Sequence, residues 1–309
     1  MEPQDKRSRS RFSSPLVRLG QGDHTREIYL SDLSRHVGVV VKPLDLKSLI
    51  REPADVYHAK SKKNLSSHAL ADFRRCPALY RKKQFGLISK HDSAAFQLGR
   101  AAHTLILEGR ERFEREYAVG GPVNPKTGQP FGSNTKAFAQ WANHRGKPVL
   151  TDSDAALIEQ MAASVHQHLF ARELLCDGVA EGVVRCQCVG HACQGRIDWI
   201  NPLPDRGIVD LKTCATIDTF EHDFRTFEYA HQLAFYRAIV RCVTGISAPV
   251  HIIAIEKREP FRCGVWQVLS AVLDEAQREN TEAMHELARC RETGVWPTRF
   301  ESLRLIDHL

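Results

Sequence analysis

The sequence predicts an α/β (α+β) fold, a central mixed β-sheet flanked by helices. Three observations carry this. Helical patterns fill most of residues 65–175, three β-branched or alternating segments crowd residues 180–213, and a helix, two strands and a last helix follow to about residue 293. Helices before and after a short run of strands pack as layers around one sheet.

Each element has a local reason. Residues 1 to about 25 are polar, basic and Ser-rich without periodicity, and a poorly ordered basic segment is expected over residues 1–50, interrupted by a short strand at "HVGVVVK". The folded domain is then expected over residues 51–309. "LSSHALADFRRCPALYRKKQFG" starts a helix that Ser66 or Ser67 can cap, and Pro77 splits it in two. "DSAAFQLGRAAHTLILEG" reads as a helix with Phe96, Leu98, Ala102, Leu105 and Ile106 on its apolar side. "GGPVNPKTGQPFGSNT" is a Gly/Pro-rich loop, and residues 135–145 and 152–175 are helical by pattern. "AEGVVRCQCVG", "CQGRIDWI" and "RGIVDLKT" read as three consecutive antiparallel strands. A helix at about 225–243, strands near 249–257 and 262–269, and a helix at about 271–293 complete the domain.

With 309 residues the chain can bury a sizeable core, and its 42% hydrophobic and 26% charged residues are ordinary for a globular protein. No apolar run approaches the roughly 18–20 residues that span a bilayer, and the N-terminus lacks the apolar stretch of a signal peptide. A cytoplasmic protein without a membrane partner is expected. Nine cysteines, an odd number without a secretion signal, argue against a disulfide framework. The net charge of +6 hints at a polyanionic partner. Lys60, Lys62, Lys63, Arg74, Arg75, Arg81, Lys82 and Lys83 crowd one short region, which makes them candidates for contact with a nucleic-acid backbone, although such runs are also common on solvated helix faces.

The segment "GRIDWINPLPDRGIVDLKT" concentrates the chemistry. Side chains alternate along a strand, so Val209 and Leu211 point one way while Ile208, Asp210 and Lys212 point the other. On the preceding strand, Ile197 and Trp199 are expected on one face, with Gln194, Arg196 and Asp198 opposite. A turn centred near Pro204 sets Asp198 across from Asp210, since each lies six residues from that centre. Facing Cβ atoms are about 4.5–5.5 Å apart, and like charges so placed destabilise a sheet. A divalent cation would turn that repulsion into coordination. Mg²⁺ suits the carboxylates best, with Mn²⁺ as an alternative, and the Leu211 carbonyl can add an oxygen. Lys212 is then near enough to orient water or stabilise charge on a phosphoryl group.

The cysteines predict no metal. Cys186, Cys188, His191 and Cys193 offer four ligand types in eight residues, but structural zinc sites usually join two separated ligand pairs. Zinc is therefore not expected, and the cysteines read as buried free thiols.

The order of these pieces resembles the PD-(D/E)xK nuclease superfamily, with its restriction-endonuclease-like core. More narrowly, the chain resembles the RecE-type exonucleases over roughly residues 55–300. The likeness begins at "YHAKSKKNLSSHALADFRRCPALY", continues through "LGRAAHTLILE", "AEGVV", "CQGRIDWI", "IVDLKT" and "HQLAFYRA", and ends near "CRETGVWP". By this resemblance His103 joins Asp198 and Asp210 as a metal ligand, and Lys212 is the catalytic lysine. Glu181 is an acid near the site, in an outer-ligand or DNA-end role. Gln232 and Tyr236, one helical turn apart, bind the substrate phosphate or support Lys212. The first acid of the superfamily follows proline, whereas here Asp198 follows Ile197. Cys76 resembles the first ligand of the iron–sulfur nucleases related to RecB, but Cys263 and Cys290 do not complete a cluster, so none is expected.

The resemblance implies Mg²⁺-dependent hydrolysis of linear double-stranded DNA from its ends, 5′ to 3′. The single strands produced would pass to a recombinase or annealing partner, and the enzyme would be a homo-oligomer. The same core could instead serve an endonuclease, a RecB-like nuclease module or a catalytically silent DNA-binding protein.

Overall fold

The computed structural model describes residues 43–88, 94–132 and 134–306, together with a strand pair nearer the N-terminus. The chain divides into two units, residues 1–41 and 42–309. In the first, β1 (Leu16–Leu19) pairs antiparallel with β2 (Arg26–Tyr29), Leu16 standing opposite Tyr29. The strand expected at "HVGVVVK" lies outside the described residues. The second unit begins before residue 51. Leu44 is buried and donates its N–H to the Pro202 carbonyl at 2.9 Å, and Ile50 exchanges two backbone hydrogen bonds with Val183.

The helical half follows local chemistry. α1 (Ala54–Ala59) precedes α2 (Ser67–Arg75), whose cap is Ser66; its hydroxyl accepts the Ala69 N–H. α3 (Pro77–Gln84) starts on Pro77, since a proline ring fits the first turn of a helix but not its middle. α4 (Ala94–His103) runs directly into a π-helical turn at Thr104–Glu108. Leu98, Ala102, Leu105 and Ile106 pack inward from this stretch, but Phe96 is 66% exposed, contrary to the apolar face read from the pattern. α5 (Arg110–Glu116), β3 (Ala118–Val119), α6 (Lys136–Arg145) and β4 (Val149–Leu150) follow. Residues 152–175 form two helices rather than one, α7 (Asp152–Gln167) and α8 (Leu169–Leu174). The break falls at His168, whose backbone is extended and whose ring accepts the Ala171 N–H as the cap of α8.

The sheet holds five strands in the order β5 (Val179–Cys188), β6 (His191–Ile200), β7 (Ile208–Cys214), β8 (Val250–Glu256) and β9 (Cys263–Val268). Neighbours are antiparallel except β7 and β8, which are parallel and therefore need a crossover. That crossover also holds two helices where one was expected, α9 (Phe220–Thr226) and α10 (Tyr229–Thr244), separated by Glu228 in the left-handed conformation at φ 54°. α11 (Ser270–Thr293) closes the unit.

Two hydrophobic clusters lie on opposite faces of the sheet. α2, α10 and α11 cover Ile197, Ile208 and Ile252; α4, the π turn, α7 and α8 cover Val209, Leu211 and Ile253. Gly195 lets α10 close on β6, because a Cβ there would lie 2.5 Å from Ile239 Cδ1. Ile197 and Trp199 do not share a face as strict alternation requires. Ile197 belongs to the first cluster and Trp199 packs against the second, so β6 changes faces at Asp198. Opposite it on β5, Glu181 has φ 54° and is skipped between the Ala180–Trp199 and Gly182–Ile197 pairs.

His251 on β8 supplies a test of this packing. It is 2% exposed, its Nδ1 lies 2.8 Å from the Arg206 carbonyl, and its Nε2 has no partner. Burial holds its pKa down at about 4. The neutral ring is the folded form, so its stabilisation is present above the ordinary histidine pKa and is lost as pH falls towards 4. Denaturant titrations should show about 2 kcal/mol less stability from this group at pH 5 than at pH 7, and His251→Phe should flatten that part of the profile.

Candidate active site

The β6–β7 ladder places the chemistry. It contains only two residue pairs, Trp199–Val209 and Ile200–Ile208. Both are centred on Pro204, so the next positions in register would be Asp198 and Asp210. The ladder stops there. The Asp198 carboxylate accepts the Leu211 N–H at 2.8 Å, and a side chain thus replaces a strand–strand hydrogen bond. Further along β6 the vacated edge is taken by Leu65, which donates to the Ala192 carbonyl and accepts from Gln194.

Three side chains of types that can ligate a metal converge on this gap. One ligand atom each from His103, Glu181 and Asp198 lies within 4.8 Å of the other two. His103 is delivered by the last residue of α4, where the helix changes to π geometry, a distortion frequent at functional sites. Its Nδ1 is 3.6 Å from Asp198 Oδ2. Glu181 is held by Arg196, Nε to Oε2 2.7 Å, and its left-handed backbone stores strain of about 1–3 kcal/mol. Asp210 stands apart from this triad. Its Oδ2 lies 2.5 Å from Lys212 Nζ, yet neither oxygen has a well-formed hydrogen bond, and its side chain is 1% exposed. The Leu211 backbone is engaged by both Asp198 and His103.

Lys212 is fixed from α10. Its Nζ donates to Gln232 Oε1 at 3.1 Å, and Gln232 Nε2 donates to the Tyr236 hydroxyl at 3.0 Å. Gln232 and Tyr236 thus form a relay behind the ammonium. Tyr229 completes it with its ring centroid 4.8 Å from Nζ. The sequence sets Arg196 on the face of Asp198 without assigning it a role, and it gives no signal for Tyr229. Arg196 lies two residues from Asp198, a spacing that strand alternation exposes, whereas Tyr229 reaches the site only because Glu228 restarts the helix.

The electrostatics describe an acidic nest short of positive charge. Burial pushes the pKa of Glu181 up to about 8, with Asp198 adding to the rise and Arg196 opposing it. Burial also raises Asp198 and Asp210 above the usual carboxylate range, against the pull of Lys212. For Lys212 burial acts downward, but Asp210 and Asp198 outweigh it and keep the ammonium charged. His103 is lowered to about 4 by burial and by Lys212, so at neutral pH it offers the uncharged imidazole that ligates metals. An imidazole and two carboxylates, beside a third buried carboxylate lacking hydrogen bonds, fit a divalent cation.

The basic residues are divided in their roles. Arg74 is committed to contacts within the chain, paired with Glu228 and donating to Asn280 Oδ1 at 2.6 Å. Lys60 pairs with Glu52 and Lys83 with Asp72, each at 2.7 Å. Lys62, Lys63, Arg75, Arg81 and Lys82 are exposed without an acidic partner among the described residues. The nine cysteines are all free; Cys186 faces Cys193 across β5 and β6.

A central mixed sheet flanked by helices, with two acids and a lysine at the splayed strands, is the PD-(D/E)xK nuclease arrangement. Residues 66–308 match the family described as a PDDEXK-like domain of unknown function (DUF3799), and the chain belongs to that family. A crystal structure of a candidate exonuclease from Eubacterium rectale has the same fold, with a TM-score of 0.60 and 18% identity, covering 84% of this chain and 96% of that one. No curated protein matches the sequence. No helix among the described residues is long and apolar enough to cross a membrane.

The nest predicts a trade between stability and metal binding. Mn²⁺ should raise the melting temperature of the wild type, since a ligand of the folded state stabilises it. Glu181→Gln should raise the metal-free melting temperature at pH 8, where the wild-type acid is forced towards charge, by about 2–4 °C per kcal/mol relieved. It should also shrink the Mn²⁺-induced rise. Scanning fluorimetry with chelator and with Mn²⁺ reads both effects.

Proposed function

We propose that the protein is a Mg²⁺-dependent exodeoxyribonuclease of RecE type, with Mn²⁺ able to substitute. It would degrade linear double-stranded DNA from its ends, 5′ to 3′, to leave single strands for recombination. The observation that carries this reading is the meeting of His103, Glu181 and Asp198 beside the Asp210–Lys212 pair, on a fold of the PD-(D/E)xK superfamily.

His103, Asp198 and Glu181 would hold the cation, and Asp210 would join them from beside Lys212. Bound there, the cation supplies Lewis-acid polarisation of the scissile phosphate and a water acidified for attack. The ammonium of Lys212 then stabilises the charge that builds on a phosphate oxygen, and it is already oriented, so little reorganisation accompanies the reaction. Gln232 and Tyr236 keep that ammonium aimed. Of the basic segment, Lys62, Lys63, Arg75, Arg81 and Lys82, exposed and without an acidic partner among the described residues, are suited to guide the DNA backbone through sequence-independent, salt-sensitive contacts. A cytoplasmic homo-oligomer that hands its product to an annealing protein is the assembly this activity implies.

End-labelled linear duplex incubated with Mg²⁺ should release nucleotides with the wild type and not in the presence of chelator. Asp210→Ala and Lys212→Ala should each slow release at least about a hundredfold, the scale of losing a preorganised charge. Covalently closed circular DNA should resist. Cleavage of closed circles, or release unaffected by Asp210→Ala, would refute the reading.

A further inference from the structure

A cleft on α3 and the end of α11 includes none of the metal-ligand candidates or Lys212, although it shares Arg81 with the basic segment. It encloses about 300 Å³ between Tyr80, Arg81, Phe85, Arg291 and Trp296, at the lower end of the range for small-ligand sites. A second, smaller cavity continues from it, sharing Tyr80, Gln84 and Arg291, and is lined by Lys62 and Lys63. Among the described residues, four cations therefore border the two cavities and no carboxylate lines either one. The aromatic groups are ordered around the cations. Trp296 stacks on Tyr80 with centroids 6.1 Å apart and planes at 21°. Arg81 lies over both Trp296 and Phe85, at 5.4 and 5.8 Å from their centroids. Arg291 is held by the Tyr80 hydroxyl and by His191. Phe85, at the end of α3, is 69% exposed. Phe85 is thus an apolar ring held largely in water at the mouth of a cationic cleft, with Arg81 over its face.

We infer that this cleft binds a single strand of DNA, with bases stacked on Phe85 and the Arg81–Trp296 shelf and phosphates on Lys62, Lys63 and Arg291. The inference rests on DNA being the substrate and specifies the form in which it is held here. The cations select a polyanion. The aromatic faces select one whose bases are free to stack, which duplex bases are not. An acidic peptide would satisfy the charges but leave Phe85 unused.

The test measures fluorescence anisotropy of labelled (dT)20 and of a blunt 20-base-pair duplex, in chelator so that nothing is cut. The wild type should bind (dT)20 with an affinity that falls steeply with salt. Phe85→Ala should weaken that binding about fivefold or more, the scale of one lost base–aromatic stack, while weakening the duplex by less. Arg81→Gln should weaken (dT)20 as well, and melting curves of both variants establish that they are folded. Failure of (dT)20 to bind, or equal losses on single strand and duplex, would overturn the inference. Loss of nuclease activity in the separate Mg²⁺ assay bears on the catalytic reading alone. A protein that binds (dT)20 through Phe85 but cuts nothing would keep this inference and sink the other.

Discussion

The parting of β6 from β7 is the constraint on which the site depends. Two residue pairs hold the strands together and then the ladder ends, because the Asp198 carboxylate takes the Leu211 N–H that a continuing strand would have used. A carboxylate in that position keeps the strands apart, and ligand atoms of His103 and Glu181 come within 4.8 Å of it there. Continued pairing would have brought two acids face to face with nothing between them. The splay converts an electrostatic fault into a cation-sized opening.

Such a site is expensive in folding terms. Three acids are driven above their ordinary pKa, one residue sits in a left-handed conformation, and both Asp210 oxygens lack good hydrogen bonds. The two clusters on either face of the sheet carry that burden, with Ile197, Ile208 and Leu211 fully buried within three residues of the acids. The arrangement on α10 is equally determined from elsewhere. Gly195 lets the helix approach the sheet, Arg74 anchors Glu228 just before its first turn, and Asn280 of α11 donates to the His231 carbonyl. Gln232, between these restraints, has little freedom to leave Lys212. Rigid support of this kind is what preorganised catalysis needs.

Much of this was legible in the chain order. Pro77 divides two helices because its ring cannot sit inside one, and Pro204 centres the turn from which the β6–β7 register follows. The boundaries that escaped the pattern share a cause: a single residue adopting a backbone its neighbours do not signal. His168 and Glu228 interrupt otherwise continuous helical periodicity, one through its ring as a cap and the other through a positive φ that a glutamate seldom adopts. Phe96 has the spacing of a core residue yet is largely exposed, since periodicity reports a face and not what covers it.

The amino-acid order by itself determined the layered α/β plan, the strand pair bearing Asp198, Asp210 and Lys212, and the spacing that sets Gln232 and Tyr236 on one helical turn. These are local properties, dictated by side-chain alternation, helical pitch and turn chemistry within a few residues. Tertiary structure alone decided that β6 changes faces at Asp198, that Glu181 joins His103 and Asp198 while Asp210 turns to Lys212, and that Arg74 is spent on an internal ion pair. Apart from the Asp210–Lys212 pair, each depends on contacts between residues distant in sequence, where burial and charge compensation outweigh any preference written into the neighbouring sequence.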